Sequence, residues 1–366
     1  MNVLFLCLTS VRSAYTDHFL SICYESNKYL EKNNLQICLS KKAFYDSKNF
    51  IHLFKKYNFI EVDYNKKKYS SFFNIFIKII KLSLRQDKIF VYGENPLHSL
   101  IFLIVKILKP QILIYTKIAD PKSHDCEKIF LKPIYFLSKL ILIIISKKII
   151  VASNSLFKDA NILLKLFVKN KLENAMFGNL LNLLTLSANE NIVPYNRRKY
   201  DLVFFGRFEK YKGINIFLDV AKEIYKINPN LKFLMITKSN KKIKSKNIYH
   251  INKYIDDKSF IYYIKNSKIG FFPYLNATGS HVVQNMNLFG GFVIANSVGY
   301  FNDAISNNKN GYIVKNNVSL NKYKYVSIIL KYLNLLAEGK YDPYKISNYS
   351  KKKFDQNYFL KIIFDE

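Results

Sequence analysis

DLVFFGRFEKYKGINIFLDVAKEI, residues 201–224, is the stretch that decides the fold. It begins with a continuous apolar run, which is typical of a strand buried on both faces of a parallel sheet. A glycine and a short polar loop follow, and apolar residues then recur at helical spacing over residues 214–227. A strand, a tight loop and a helix in this order predict one unit of a doubly wound α/β domain, in which ligands bind where the strands end.

The same alternation of short apolar runs and longer amphipathic stretches continues on both sides of this segment. Strands are predicted at 3–8, 35–39, 59–63, 89–92, 112–116 and 149–152, and again at 201–206 and 232–237. The sequence therefore predicts an α/β protein with two Rossmann-like domains facing a cleft, at residues 1–182 and 200–341. Residues 183–199 are the predicted linker, and residues 342–366 a predicted closing helix that packs toward the first domain.

The formal net charge is +31, and nucleic acid, anionic lipid or an anionic substrate are the usual partners of such a charge. Only five of the 57 basic residues are arginines, whereas base recognition depends on bidentate arginine contacts. Lysine, asparagine, isoleucine, tyrosine and phenylalanine are abundant and tryptophan is absent, a composition that an AT-rich genome produces without selection on charge. The sequence therefore argues against nucleic-acid binding and leaves open how much of the charge has a function.

The N-terminus MNVLFLCLTS has no basic residue before its apolar run and no small-residue cleavage pattern after it, so it predicts a first strand and not a signal peptide. The most apolar stretch, residues 134–152, is interrupted by three lysines and is too short to cross a bilayer. The four cysteines form no C-x-x-C pair and predict reduced, buried thiols. Together these features predict a cytoplasmic protein.

Two segments contain residues suited to bind a diphosphate. In the first, Arg207 follows the strand and Lys212 stands beside Gly213 at a helix start. The planar guanidinium of Arg207 and the ammonium group of Lys212 can therefore converge on one anion. The second is FFPYLNATGSHVVQNMNLFGGFVIANSVGYFNDAI, residues 271–305. Its loop of small residues, 276–280, opens a helix and exposes backbone N–H groups to an anion. A solvated basic loop and an ordinary helix cap are the alternative interpretations.

Taken in this order, the two segments resemble the donor half of retaining GT-B glycosyltransferases of family four, also called group 1. The family's GR-x4-KG pattern matches at Gly206, Arg207, Lys212 and Gly213. The second segment resembles the family's E-x7-E region, except that both glutamates are amides here, Asn276 and Gln284. An amide oxygen still accepts a hydrogen bond, but a neutral bond is about 1 kcal/mol weaker than a charge-assisted one.

The resemblance implies a nucleoside-diphosphate sugar as donor and no metal cofactor. It implies that Arg207, Lys212 and Asn276 serve catalysis, with the two cations stabilising the departing diphosphate. The implied donor-binding residues are Gly206, Thr278, Gly279, Ser280, His281 and Gln284. In this family the sugar is transferred with retention by front-face departure of the diphosphate, so no protein nucleophile is required.

The first half resembles the family's acceptor domain in its pattern only. Its acceptor-side candidates are polar residues that follow predicted strands and are able to hold or deprotonate a hydroxyl: Arg12, Glu94, Asp120 and His124. A purely structural role is the alternative for each. The implied function is sugar transfer to a glycan or lipid-linked acceptor in bacterial surface polysaccharide biosynthesis, such as capsule or lipopolysaccharide. A catalytically weak relative that binds nucleotide sugar or glycan is the second hypothesis.

Residues 71–85 alternate aromatic and aliphatic side chains with lysines, as a helix lying in an anionic membrane interface does. A packed helix in a lysine-rich protein has the same pattern, so the sequence leaves both interpretations open. Peripheral contact with the inner face of the cytoplasmic membrane is the consequence of the first interpretation. A lipid-linked acceptor favours it.

Overall fold

The computed structural model describes residues 1–8, 14–29, 34–41, 43, 58–62, 69–94, 96–119, 132–153, 156, 162–168, 170–180, 191–239, 243, 245–277, 279–315 and 321–365. The chain divides into two compact units. Unit 1 comprises Met1–Leu181 and Gln356–Glu366, and unit 2 comprises Asn182–Asp355. Each unit is built on one parallel sheet.

In the described part of unit 1 the sheet has seven strands in the order β3-β2-β1-β4-β5-β6-β7. They are β1 (Val3–Cys7), β2 (Leu35–Ser40), β3 (Asn58–Val62), β4 (Lys88–Tyr92), β5 (Leu113–Lys117), β6 (Lys148–Val151) and β7 (Leu172–Asn174). Every residue of β1 is buried, because helices cover both faces of the sheet, which is why its sequence is continuously apolar. The chain adds β2 and β3 on one side of β1 and β4 to β7 on the other, so the topological switch point lies between β1 and β4.

The helices of unit 1 lie on both faces of its sheet. They are α1 (Ala14–Glu25), α2 (Tyr69–Leu84), α3 (Pro96–Leu108), α4 (Lys132–Ile145) and α5 (Ile162–Val168), with a 3-10 turn at Ser26–Lys28. Helices α2 to α5 pack side by side in chain order, and their inner sides cover one face of the sheet. Helix α1 packs on the other face, together with the last helix of the chain.

The sequence predicted buried cysteine thiols and no segment that crosses a bilayer. Cys7, Cys23 and Cys38 are fully buried, as predicted, and Cys126 lies outside the described residues. Within the described ranges, none of the helices combines the length and the apolar character that crossing a bilayer requires.

In the described part of unit 2 the sheet has six strands in the order β10-β9-β8-β11-β12-β13, all parallel. They are β8 (Tyr200–Phe205), β9 (Phe233–Ile236), β10 (Ile248–Ile251), β11 (Ser267–Phe272), β12 (Phe292–Asn296) and β13 (Gly311–Val314). Strand β8 is buried along its whole length, as its apolar run predicted. After β8 the chain adds β9 and β10 on one side of it and then β11 to β13 on the other. The switch point of this sheet therefore lies between β8 and β11.

The helices of unit 2 are α6 (Ile214–Ile227), α7 (Asp257–Lys265), α8 (Val282–Leu288), α9 (Phe301–Ala304), α10 (Lys322–Ala337) and α11 (Pro343–Lys353), with 3-10 turns at Tyr195–Arg197 and Lys210–Lys212. Helix α6 occupies the predicted residues 214–227. Its buried side chains include Phe217, Val220 and Ile224, at the spacing that places them on one face.

The C-terminal segment differs from the single closing helix that the sequence predicted over residues 342–366. Helix α11 ends at Lys353 within unit 2, and α12 (Asn357–Phe364) belongs to unit 1. Helix α11 buries Ile346, whereas α12 buries Phe359 and Leu360 in the core around β1. The helix is interrupted because its apolar residues belong to two different cores.

Residues 191–199, the described part of the predicted linker, are anchored to unit 2. The Tyr195 hydroxyl donates to the Gly290 carbonyl at 2.7 Å, and the Arg198 guanidinium stacks on the Tyr195 ring. Arg198 is buried and donates at 2.7–2.9 Å to the carbonyl oxygens of Val193, Ser267 and Phe289. This segment is therefore part of the packed unit.

We expect Arg198→Met to lower the free energy of unfolding by at least about 3 kcal/mol, because three carbonyl oxygens lose their donor and each costs about 1–3 kcal/mol. The neighbouring Arg197 is exposed, so Arg197→Met is the matched control and should change stability by less than about 0.5 kcal/mol. Urea unfolding followed by circular dichroism measures both. Equal effects of the two substitutions would show that the carbonyl contacts of Arg198 do not stabilise the unit.

Candidate active site

The loop between β8 and α6 begins and ends at glycines with left-handed backbone. Gly206, directly after β8, has φ +136°, and Gly213, which caps α6, has φ +68°. A Cβ at Gly213 would lie 1.9 Å from the Pro273 carbonyl oxygen, which belongs to the loop after β11. The loop therefore needs glycine both for its conformation and for close contact with the neighbouring strand end.

Lys212 is buried at the end of this loop, with 8% of its surface exposed. Its Nζ donates to the Tyr274 hydroxyl at 3.2 Å and lies 2.9 Å from the position that a Cβ at Gly206 would take. A side chain at position 206 would thus displace the amine. Because β8 and β11 are neighbours at the switch point, the contact joins two loops that are far apart in sequence.

The pKa of Lys212 is lowered to about 8, chiefly by burial and also by the nearby charge of Arg207, while Glu209 opposes the shift. The cost of burying the ammonium group is the main cause, because the low-dielectric surroundings solvate the charge poorly. A diphosphate beside this amine would supply the missing counter-charge. The site is thus arranged to favour an anion.

We expect the affinity for a nucleoside-diphosphate sugar to be constant below pH 8 and to fall above it by up to about tenfold per pH unit. The reason is that free Lys212 loses its charge above its pKa of about 8, whereas the bound anion raises that pKa. Isothermal titration calorimetry between pH 7 and 9.5 measures the profile. Lys212→Met should remove this pH dependence, and an identical profile in the variant would assign the dependence to another group.

Tyr274 connects the two segments that the sequence selected, and sequence reasoning missed it. Its buried hydroxyl contacts Lys212 and makes a side-chain hydrogen bond with Ser280; burial raises its pKa well above the ordinary value. The backbone N–H of Leu275 also donates to the Tyr211 carbonyl at 2.7 Å, so the two loops are tied together. The available signal was a tyrosine two residues beyond the end of a buried strand, a position at which α/β sheets bind ligands.

Arg207 lies beside this cluster and points to solvent, with 69% of its side chain exposed. Its Nη1 forms an ion pair with Glu209 at 3.0 Å, and its Nη2 lies 3.4 Å from the Tyr211 hydroxyl. An anion at the loop would compete with Glu209 for the guanidinium. Because Arg207 is exposed and Lys212 is buried, the two cations differ in desolvation.

The remaining donor-side candidates divide into exposed and buried groups. Asn276 and Gly279 are exposed in the loop after β11, and Thr278 lies outside the described residues. His281 caps α8 and is nearly buried. Gln284 is fully buried on α8, and its amide Nε2 donates to the Tyr300 hydroxyl. The loop thus presents Asn276 to solvent, whereas Gln284 is packed inside the unit.

Of the acceptor-side candidates, only Glu94 lies among the described residues; Arg12, Asp120 and His124 lie outside them. Glu94 follows β4, and its Oε2 accepts a hydrogen bond from the backbone N–H of Ala119 at 2.9 Å. It therefore connects the carboxyl ends of β4 and β5. This contact gives Glu94 a structural role between the ends of β4 and β5, on the side of β4 that faces away from the switch point.

A pocket of about 360 Å³ opens at the carboxyl end of β10 in unit 2. Its lining is mostly polar and aromatic: Tyr249, His250, Asn252, Lys253, Tyr254, Asp256, Ser259 and Tyr263 are among the residues. Strand β10 is separated from β8 only by β9, so the two strands whose ends carry the pocket and the loop of Lys212 lie about 10 Å apart. Both lie at the carboxyl edge of the sheet, where α/β sheets bind ligands.

A protein-family model and several solved structures are similar to this chain. Residues 188–342 match the family model described as glycosyl transferases group 1. No curated protein matches the chain in sequence. HepE of Anabaena, solved with UDP and glucose, is similar in structure, with 10% identity, a TM-score of 0.68, and coverage of 99% of this chain and 97% of that chain.

Two further solved structures have the same fold. A glycosyltransferase of Rickettsia africae has 14% identity and a TM-score of 0.66, with coverage of 98% of this chain and 96% of that chain. The lipopolysaccharide outer core galactosyltransferase WaaB has 11% identity and a TM-score of 0.65, with coverage of 100% and 99%.

The two Rossmann-like units define a GT-B fold, and this confirms the fold class that the sequence predicted. Residues 188–342, which contain the loops of Lys212 and Tyr274, are a group 1 glycosyl transferase domain. The chain is therefore a glycosyltransferase, as the resemblance in its sequence implied.

Proposed function

We propose that this enzyme transfers a sugar from a nucleoside-diphosphate donor to a glycan or glycolipid acceptor. The observation that carries the proposal is the cluster of Lys212, Tyr274 and Ser280 at the switch point of unit 2, with Arg207 beside it. A buried ammonium with a lowered pKa and an exposed guanidinium suit a diphosphate, which carries charge that must be stabilised as it departs.

The chemistry of these groups favours stabilisation of the leaving group over nucleophilic catalysis. Lys212 and Arg207 neutralise the charge that develops on the diphosphate, and the Lys212 amine is held in place by Tyr274 before the donor binds. In this proposal the sugar is transferred with retention, by front-face departure of the diphosphate, and no metal ion takes part. Asn276 is exposed in the adjacent loop, and in this proposal it is the residue that contacts the donor sugar.

The pocket at the end of β10 is the proposed site of the nucleobase. It lies on the same sheet edge as Lys212, at a distance that a ribose and its phosphate can bridge, and it offers aromatic rings together with amide and carboxylate groups. HepE was solved with UDP, which makes uridine the first base to test. Tyr254 is exposed at the rim, where its ring is available for stacking.

For the acceptor, we propose a growing bacterial surface polysaccharide or its lipid-linked precursor, such as capsule or lipopolysaccharide, reached from the cytoplasm. The similarity in fold to WaaB, whose name refers to the lipopolysaccharide outer core, supports this class. The basic charge of the chain is compatible with an acceptor held at an anionic surface.

The experiment that tests the donor site is thermal stabilisation by UDP, GDP and dTDP and by their sugars, with and without EDTA. A ligand at a hundred times its dissociation constant adds about 2.7 kcal/mol of stability. We expect one base to stabilise the protein, with EDTA making no difference, and the Arg207→Ala/Lys212→Met double variant to lose the effect. No stabilisation by any nucleotide would overturn the donor assignment, and loss with EDTA would overturn metal independence.

The second candidate function is donor binding with little turnover, and the two amides favour it. Asn276 and Gln284 stand where the resemblance expects carboxylates, and Gln284 is engaged by Tyr300 inside the unit. A relative of this kind would bind the donor in the thermal assay and release no nucleotide product. Turnover therefore separates the two functions.

If the enzyme is active, we expect Asn276→Glu to raise kcat/KM about fivefold, because a charge-assisted hydrogen bond to a sugar hydroxyl is about 1 kcal/mol stronger than a neutral one. Asn276→Ala should lower it by a similar factor. Both substitutions are at an exposed position, so neither should change the thermal stability appreciably. Equal activity of all three forms, measured by nucleotide release, would show that Asn276 does not contact the donor.

A further inference from the structure

The exposed large apolar side chains of the two units differ in type. In unit 2 they are mainly tyrosines. In unit 1 they are mainly aliphatic, and all but Met1 and Tyr358 fall on helices α2 to α5. These are Phe73, Leu100, Ile107, Leu108, Ile134, Leu137, Ile144, Ile162, Leu166 and Phe167, each between 50% and 71% exposed. Scattered exposed apolar residues need no explanation, but a concentration on one helical layer does.

These side chains share one side of the layer. The inner sides of α2, α3 and α4 fill the core against the sheet with Ile79, Phe102 and Leu142, while α4 and α5 pack together over β6. On α4 the exposed Ile134, Leu137 and Ile144 recur at helical spacing, away from that core. The outer side of α2 to α5 is called the apolar face below.

Most of the residues that suggested an interfacial helix at 71–85 have a different role. Ile79 is fully buried, and Ile75, Phe76 and Ile80 pack against the core, so α2 is largely a packed helix. The exposed apolar surface that the sequence suggested for residues 71–85 is instead formed mainly by α3, α4 and α5. Helix α3 is apolar nearly all round, and its sequence does not indicate which side faces solvent.

The charged residues of helices α2 to α5 indicate what kind of partner the apolar face binds. The sequences of α2, α3, α4 and α5 contain no aspartate or glutamate, whereas they contain six lysines: Lys78, Lys81, Lys106, Lys132, Lys139 and Lys165. Lys78, Lys81 and Lys165 are exposed. Apolar side chains between lysines, without carboxylates, match a surface that combines phosphate charge with hydrocarbon.

A second copy of the chain fits this face poorly. In a two-fold dimer the same patch meets itself, so the lysines of both copies would face each other without a carboxylate from these helices to neutralise them. An anionic bilayer supplies both the negative charge and the apolar medium. The charge complementarity therefore favours lipid.

We propose that the apolar face binds the surface of an anionic lipid bilayer, with the exposed aliphatic side chains entering the boundary between headgroups and acyl chains. The exposed Lys78, Lys81 and Lys165 contact lipid phosphates, whereas Lys139 is buried and takes no part. The contact is peripheral. It is independent of the donor chemistry, and it places the enzyme at the surface where a lipid-linked acceptor is found.

The test is co-sedimentation of the full-length protein with vesicles of phosphatidylcholine alone or mixed with phosphatidylglycerol. We compare Leu137→Glu/Leu166→Glu on the apolar face with Ile227→Glu/Tyr323→Glu on unit 2; all four positions are more than half exposed, and both pairs change the net charge by the same amount. A difference between the pairs therefore reports position and not the total charge.

We expect the wild type and the unit 2 pair to bind the anionic vesicles, and the Leu137/Leu166 pair to bind them at least about tenfold more weakly. Thermal melting and nucleotide binding check that both pairs are folded. Equal vesicle binding by both pairs, or none by the wild type, would overturn the proposal. So would light scattering that shows a dimer in the wild type and a monomer in the Leu137/Leu166 pair, because the face would then be covered by a second copy.

Discussion

Lys212→Met should lower kcat by about 100- to 1,000-fold while leaving the protein folded. The size of the effect follows from the loss of one positioned cation at a departing diphosphate, where a single donor contributes about that factor. The fold should persist because the ammonium is buried at a cost, as its lowered pKa shows, and methionine fills a similar volume without charge. The measurements are steady-state nucleotide release and thermal unfolding.

Lys210 provides the matched control, since it lies in the same 3-10 turn, two residues away, and is exposed. Lys210→Met removes the same charge from the same loop, and we expect its kcat to change by less than about threefold. If both substitutions have equal effects, the general charge of the loop and not the buried amine carries the catalysis. A Lys212→Met protein that retains full activity would remove Lys212 from the mechanism.

Gly213→Ala should lower the free energy of unfolding by about 2–5 kcal/mol and abolish donor binding. The left-handed backbone at φ +68° costs an alanine about 1–2 kcal/mol. The added Cβ would also lie 1.9 Å from the Pro273 carbonyl oxygen, and relieving such a clash by backbone movement costs about 1–3 kcal/mol more. That movement separates the loops of Lys212 and Tyr274, and therefore disassembles the site.

Gly339 is a close control for the conformational part of this effect. It has φ +71° in the same unit, and nothing lies within 4 Å of the position that its Cβ would take. We expect Gly339→Ala to cost only about 1–2 kcal/mol and to leave donor binding unchanged. Urea unfolding and calorimetric titration with the nucleotide give both quantities. If the two alanine variants behave alike, the contact with Pro273 does not hold the site together.

Much of the donor half was predictable because its signals are local. A continuous apolar run between polar segments predicts a buried strand, and β8 was found at residues 200–205, against a predicted 201–206. The GR-x4-KG pattern selected Gly206 and Gly213, and the structure shows that both have the left-handed backbone that glycine adopts readily. The C-terminal segment was less predictable, because its helical spacing does not show that two different cores receive α11 and α12.

Arg207 and Lys212 show where sequence reasoning reached its limit. Both were selected as cations near a strand end, and nothing in their spacing distinguished them. In the structure Arg207 is exposed and paired with Glu209, whereas Lys212 is buried under Tyr274 with a lowered pKa. Desolvation depends on every atom packed around the amine, and most of those atoms come from other parts of the sequence.

The sequence by itself determined the two α/β units, the glycines of the donor loop and the basic composition, because periodicity, turn chemistry and charge are carried by residues close together in the chain. Only the tertiary structure decided that Tyr274 meets Lys212 across 62 residues and that α3, α4 and α5 expose aliphatic side chains. Both depend on which elements become neighbours in the sheet, since strand order determines which loops meet and which helix sides remain uncovered.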